Sequence, residues 1–186
     1  ARNNLQEQTF SDGGNAVDVE GNPIVDSDNK PIETRILSQN SVNWVITPAT
    51  GQPWTTDANH NKYGWYFDLP KNGEMMVENM IVFGRSLLFQ SLVPNNDPCD
   101  SGAETWLNGI DVFTGGRTRH HIFADIRIPN DRKIPVTTMR VAGEGGVTLS
   151  QAPDGKFEVC TGEHCEKTEP DPESIGRQSW RKLGAE

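Results

Sequence analysis

The sequence predicts an all-β fold, and three observations carry that prediction. No window places apolar residues at i, i+3, i+4 and i+7 between credible caps, so helical periodicity is nearly absent. Short apolar stretches recur between turn residues instead, as strands do. The 18 glycines and 12 prolines among 186 residues are many for a helical chain and ordinary for short strands joined by turns.

The elements follow in order. Ile36–Ile46 alternates loosely around Trp44, and Gly64–Leu69 is aromatic-rich and stops at Pro70. Val77–Phe83 and Arg85–Val93 read as two strands of a tight hairpin at Gly84, a residue that takes positive φ without steric cost. Trp106–Phe113 is a strand running into Thr114-Gly115-Gly116, and Ile122–Ile128 puts Ile122, Ala124, Ile126 and Ile128 on one face. Pro135–Val141 and Gly146–Ser150 are weaker strands. Gln151-Ala152-Pro153-Asp154-Gly155 is a turn from which Phe157–Cys160 returns. Ser179–Leu183 is expected as a last short strand. Residues 12–30 are polar and acidic and are expected to project as a loop insertion or weak hairpin. Residues 163–176 hold five acids and two prolines and are expected as a solvated acidic loop.

Composition narrows the function. A formal charge of −9, from 17 basic and 26 acidic residues, disfavours general nucleic-acid binding, which needs clustered Lys and Arg to displace counterions from phosphate. No apolar run approaches the roughly 20 residues that cross a bilayer as a helix. The chain starts at Ala1 without Met or a signal peptide, so it is expected to be a processed or truncated piece of a longer parent. Cys160 and Cys165 flank four residues, a spacing that a small disulfide-closed loop tolerates. The alternative, half of a zinc site, lacks a second Cys/His pair at suitable spacing. Cys99 is the odd cysteine.

One recurring pattern bears on architecture. Ile110-Asp111-Val112-Phe113-Thr114-Gly115 ends a strand in the way β-propeller blades commonly end, with Asp and Thr capping the exit turn and Gly supplying its backbone angles. Asn43–Gly51 echoes this ending roughly 65 residues earlier, against a blade period nearer 40–50.

No catalytic signature is present: Gly-x-Ser-x-Gly, His-Glu-x-x-His and a phosphate-binding glycine loop are all missing. His120 and His121 are expected on opposite faces of a strand, and His60 and His164 in solvated loops. Asp57, Asn59 and Asn61 have the first spacings of a calcium loop, with Asp68 eleven residues after Asp57, but Lys62 stands where the sharp turn needs Gly. Asp26 and Asp28 start a second such series that Lys30 interrupts. Turn capping is the simpler reading of both. Arg117, Arg119, Arg127, Arg132, Lys133 and Arg140 form the one basic stretch. Arg117, Arg119, Arg127 and Arg132 are its candidate partner-binding residues, against the simpler reading of a solvated face. Trp65, Tyr66 and Phe67 read first as cross-strand packing and second as a ligand platform.

Three segments together resemble a known family. Gly64-Trp65-Tyr66-Phe67-Asp68-Leu69-Pro70, followed by Asn72-Gly73-Glu74, is similar to the GWYxDLP…GE segment of type IV pilus tip-associated adhesins of the PilC/PilY family. Leu92 to Gly102, with Asp97-Pro98-Cys99, and Thr105 to Asp111, with Trp106, resemble its second signature. Gly176-Arg177-Gln178-Ser179-Trp180-Arg181 looks like its C-terminal GRxSWRE, with Lys182 in place of the usual acid. The matches run in the family's order across residues 35–183.

The resemblance implies the C-terminal part of a much longer protein, folded as a segment of a modified β-propeller of antiparallel four-stranded blades, about four at most at this length. It assigns structural roles to Gly64, Trp65, Asp68, Pro70, Asp97, Pro98, Cys99, Trp106, Asp111, Gly176 and Trp180. It also implies secretion, which suits a Cys160–Cys165 disulfide. The implied function is non-enzymatic: docking on minor pilins at the pilus tip, promoting assembly against retraction, and supporting adhesion and twitching. Some members carry a calcium loop of Asp-x-Asp/Asn-x-Asp-Gly type; nothing here matches it well, so that loop is expected either in the upstream part of the parent or missing. The competing readings are a quinone-dependent dehydrogenase-like propeller, suggested by the blade ending alone, and a calcium-regulated binding module.

Overall fold

A computed structural model of the chain describes residues 2–45, 60–76, 78–95, 102–142, 145–162 and 164–171. After a 3-10 turn at Arg2–Asn4, the described residues contain twelve strands: β1 (Leu5–Glu7), β2 (Phe10–Asn15), β3 (Glu33–Leu37), β4 (Gly64–Tyr66), β5 (Met75–Met76), β6 (Ile81–Phe83), β7 (Ser86–Pro94), β8 (Ala103–Asp111), β9 (Thr138–Val141), β10 (Val147–Gln151), β11 (Phe157–Thr161) and β12 (His164–Thr168). The all-β prediction holds. No helix among the described residues is long and apolar enough to cross a membrane.

Seven strands form one antiparallel sheet in the order β2-β3-β9-β8-β7, with β5 and β6 sharing the outer edge of β7. β10-β11-β12 make a three-stranded antiparallel sheet, and β1 and β4 pair in parallel. The division into four-stranded blades expected from the sequence is not what these pairings define. The centre of the large sheet is the β7–β8 ladder, nine residue pairs from Ser86↔Asp111 to Pro94↔Ala103. Its hairpin partner β6 turns into β7 at Gly84, where φ is +61°, as the sequence requires.

Side chains alternate between the two faces of a strand, and each face of this sheet has its own core. On one face Leu88, Leu107, Met139 and Val141 meet Ile122, Phe123, Ile126, Ile128, Val136 and, from the small sheet, Val147 and Val159. On the other face Leu37, Leu87, Phe89 and Ile110 meet Phe10, Trp65, Phe67 and Val112.

Four expectations are corrected. Ile122–Ile128 is not a strand but an irregular segment with isolated bridges at Phe123↔Thr168 and Val17↔Arg127. It lies between the large sheet and β12, where consecutive Ile122 and Phe123 are both buried, and the Ile126 N–H turns back to donate to Phe123 O at 3.4 Å, which interrupts an extended run. The strand predicted over Ile36–Ile46 ends at Leu37, because the Ser38 backbone N–H turns to donate to Thr9 O and Asn40 N to Gln8 Oε1. Within residues 12–30, Phe10–Asn15 continues as β2 and Ala16 and Val17 are buried. The projecting part shrinks to two tight turns, whose backbone N–H groups are capped by Asp18 and Asp26. The expected acidic loop begins as strand β12, which pairs along β11 with Glu158 opposite Lys167 and Cys160 opposite Cys165. Alternation puts Lys167 outward, where it pairs with Asp125 at 3.0 Å and offsets the like charges that argued against order. Ser179–Leu183 lies outside the described residues.

Candidate functional site

The GWYFDLP segment closes one face of the sheet. Trp65 Nε1 donates to Val112 O at 3.0 Å, and its ring lies flat on Gly115, where a Cβ would come within 2.1 Å of Trp65 Cδ2. Gly115 has φ +66°, so that position suits glycine on both counts. Trp65 stacks on Phe67 at 5.8 Å between ring centroids and Phe67 on Phe89 at 6.1 Å, with Phe10 edge-on at 5.5 Å. Trp65 and Phe67 of the aromatic triplet are packing, whereas the Tyr66 ring lies under the Arg2 guanidinium, 4.8 Å from its centroid. Gly64 sits against Leu5 on the neighbouring strand β1.

Asp68 faces outward and receives both terminal nitrogens of Arg2, at 2.8 and 2.9 Å. Those bonds hold the Arg2 guanidinium above its usual pKa. Asn61 is half-buried, while Asp57 and Asn59 lie outside the described residues. Among the described residues no three His, Cys, Asp or Glu side chains converge on a metal-sized site. Pro70 is exposed and leads the chain into the Lys71–Glu74 turn.

Asp111 builds the exit turn that its sequence context predicts. Its Oδ1 accepts the backbone N–H of Phe113 at 2.8 Å and of Thr114 at 3.1 Å, and its carbonyl accepts Gly115 N at 2.8 Å. Its Oδ2 receives Arg85 Nη2 at 3.0 Å. The Arg85 guanidinium also lies 3.7 Å from Asp171, so two buried carboxylates flank one arginine.

Trp106 is nearly inaccessible, at 1% exposure, and lies between two cations: Arg35 stacks 3.4 Å from its ring centroid and Lys71 Nζ stands 5.3 Å away. Around it runs a polar network. Arg35 Nη1 meets both Glu74 oxygens at 2.9 and 3.0 Å, with side-chain exposures of 8% and 0%. Ser91 Oγ donates to Glu74 at 2.7 Å, Asn108 Nδ2 to Ser91 at 3.1 Å, and Thr138 Oγ1 to Asn108 at 2.8 Å. Lys71 pairs with Glu104 and gives its backbone N–H to Glu74. Sequence reading placed Glu74 in a motif without a role and missed Arg35, 39 residues away. The available signal was an arginine at an inward-facing register of β3, two residues from Leu37.

Beside this network opens a cleft of about 1290 Å³, whose charged lining includes Asp26, Lys71, Glu104, Arg140 and Glu166, with His164 beside them. Asn95 and Gly102 also line it. They bracket the segment carrying Asp97, Pro98 and Cys99, which lies outside the described residues, as do Gly176 and Trp180. Arg140 Nη2 is 3.6 Å from Asp26 and donates to Pro31 O at 3.1 Å. The Lys30 backbone N–H, ahead of Arg140 itself, holds the Asp26 carboxyl below the usual range. His164 belongs to β12, not to a loop, and its Nε2 is 3.1 Å from Glu166. Paired charges of both signs on a broad concave wall suit recognition of a polar protein surface.

The structure separates the basic candidates. Arg127 donates to Ile126 O at 2.8 Å and bridges to Val17, while Arg132 donates to Val19 O at 3.1 Å, so both brace residues 17–19. Burial lowers the Arg127 pKa. Arg117 lies across Ile110 and Ser38 at the far end of β8, with exposed Arg119 two residues on. His120 Nε2 lies 3.0 Å from Glu169 O, and burial, ahead of Arg127 and His120, lowers the His121 pKa. Cys160 and Cys165 form a disulfide at a directly opposed β11–β12 pair, with Cα atoms 4.0 Å apart. That closes the alternative of a half zinc site.

No protein-family model matches the chain. Among curated proteins it is 35% identical over 196 aligned residues to "Type IV pilus biogenesis factor PilY1" of Pseudomonas aeruginosa PAO1, covering 98% of this chain and 15% of the relative. The protein of the same name from strain UCBPP-PA14 is 37% identical over 191 residues, 97% and 15% respectively. The chain therefore spans about 15% of the length of these relatives. Among solved structures, the crystal structure of the Pseudomonas aeruginosa PilY1 C-terminal domain superposes with a TM-score of 0.65 at 30% identity, over 92% of this chain and 33% of that one.

Proposed function

The chain belongs to the family of the PilY1 C-terminal domain, and on that premise we propose that it is the pilus-facing part of a type IV pilus biogenesis factor. The reading is non-enzymatic and extracytoplasmic. The protein docks on minor pilins at the pilus tip, favours assembly over retraction, and supports adhesion and twitching. One observation carries it: the likeness to a named pilus biogenesis factor extends over 98% of this chain. The motif residues add support of a different kind. Trp65, Trp106 and Asp111 are committed to packing and turn capping, so they act as scaffold and leave recognition to the surface they shape.

We assign docking to the mixed-charge cleft, with Arg117 and Arg119 as a second candidate contact. A partner with opposed charges would exchange the Arg140–Asp26 and Lys71–Glu104 pairs for intermolecular ones. The test is co-purification with minor pilins, together with piliation and twitching, in a strain carrying the parent protein with Asp26→Lys and Arg140→Glu together. Loss of pilin capture with normal secretion supports the cleft. Normal capture and motility in that variant removes the cleft from docking, and normal piliation after deletion of the whole segment removes the pilus function.

A further inference from the structure

The chain contains Asn-Gly twice, in opposite surroundings. Asn72-Gly73 forms the middle of the turn that the Glu74 N–H closes on Lys71 O at 3.1 Å. Asn72 and Gly73 are exposed, and Gly73 has φ +77° with nothing within 4 Å of where a side chain would stand. Neither the Asn72 amide nor the Gly73 N–H makes a hydrogen bond among the described residues. Asn108-Gly109 lies inside β8. There the Asn108 amide is fully buried and bonded to Ser91, Trp106 O and Thr138, and Gly109 N–H donates to Thr137 O at 2.8 Å.

We propose that Asn72 is a modification site, at which the side-chain amide is lost by intramolecular deamidation with water as the only co-reactant. The Gly73 backbone nitrogen gives up its proton to solvent and attacks Asn72 Cγ. A new N–C bond forms, the Cγ–Nδ2 bond breaks, and ammonia leaves with a proton from solvent. Water then opens the cyclic imide at either carbonyl, giving aspartate or isoaspartate, with no change of oxidation state. Glycine at 73 is what makes the approach open, since no Cβ shields its nitrogen.

The position makes this more than surface ageing. The same turn holds Glu74 in the Arg35–Trp106 network through Lys71 N to Glu74 Oε2 at 3.1 Å. Either product adds a carboxylate next to that turn. Isoaspartate also routes the backbone through an extra methylene, which separates Lys71 O from Glu74 N and loosens the glutamate. The inference does not rest on the pilus reading.

The test is peptide mapping by mass spectrometry of the folded protein held in mildly alkaline buffer, with a parallel sample in urea. The expected result is the mass gain of an NH2-to-OH exchange at Asn72, on the order of tenfold or more faster than at Asn108 in the folded sample, because Asn108 reacts only through opening of a core strand. In urea the two sites react alike. Labelling by an isoaspartate methyltransferase should follow the Asn72 signal and vanish in Asn72→Gln, whose ring closure is slower. An unmodified Asn72 in the folded protein beside a reactive one in urea overturns the proposal, as do equal rates at the two sites in the folded protein.

Discussion

The two faces of the seven-stranded sheet bury β7, β8 and β9 by different chemistry. One is mainly apolar: Leu88, Leu107 and Met139 meet Ile122, Phe123 and Ile126, all at 2% exposure or less, with Gln90 and Thr105 as buried polar neighbours in the same register. The other is apolar only at the end covered by Trp65 and Phe67, and then passes into the Arg35–Glu74–Ser91–Asn108–Thr138 chain around Trp106. An apolar face tolerates reshaping at a cost that grows with the cavity left behind. A face built on a buried ion pair depends on both partners, because removing one leaves an uncompensated buried charge. The motif segments therefore sit on the face where one substitution does the most damage.

The sharpest way to break this contrast is Glu74→Ala, which leaves Arg35 unpaired and should cost about 3–5 kcal/mol in urea unfolding. Leu107→Ala on the apolar face should cost about 2–5 kcal/mol. The double variant Arg35→Met/Glu74→Leu decides between pairing and packing. It should recover most of the loss, because an apolar replacement of a buried pair is often neutral or stabilising. A double variant as weak as Glu74→Ala would show that the network is needed as a whole. Gly115→Ala drives a methyl into the Trp65 ring at positive φ and should cost about 2–4 kcal/mol, read as a fall in melting temperature. Cys160→Ser with Cys165→Ser opens a short loop on the small sheet and should cost about 2 kcal/mol by loop entropy, leaving both large-sheet faces intact.

The smallest effect comes from His121. Burial sets its folded pKa below its unfolded one, so the unfolded chain takes up the proton first as pH falls. Stability is then lost from about pH 6.5 downward and levels off below the folded pKa. A melting-temperature series across that window should show the slope, and His121→Asn should flatten it.

The sequence was legible wherever the physics is local. The Gly84 hairpin, the Asp111-Thr114-Gly115 turn and the Cys160–Cys165 pairing all rest on neighbours in the chain or on one preferred backbone angle. What escaped was non-local. Arg35 and Glu74 meet only because β3 and the turn after β4 approach the same stretch of sheet, and nothing in either segment names the other. Ile122–Ile128 carries a strand's alternation but is used as a wedge between two sheets. β12 was hidden by its charges, which register with β11 and pairing with Asp125 make tolerable.

The outer edge of β7 has one more consequence. Met75–Met76 pairs with Ser91–Leu92, but Ile81–Phe83 pairs with Ser86–Leu88 in a register shifted by two residues, so the border is two short, offset pieces. Met75, Met76, Met80 and Val82 are each more than 40% exposed along it. An unbroken border that greasy would template the addition of strand after strand from other molecules. Here a visiting strand finds no more than three residues in line before the register slips, so a sticky rim does not become the seed of a fibre.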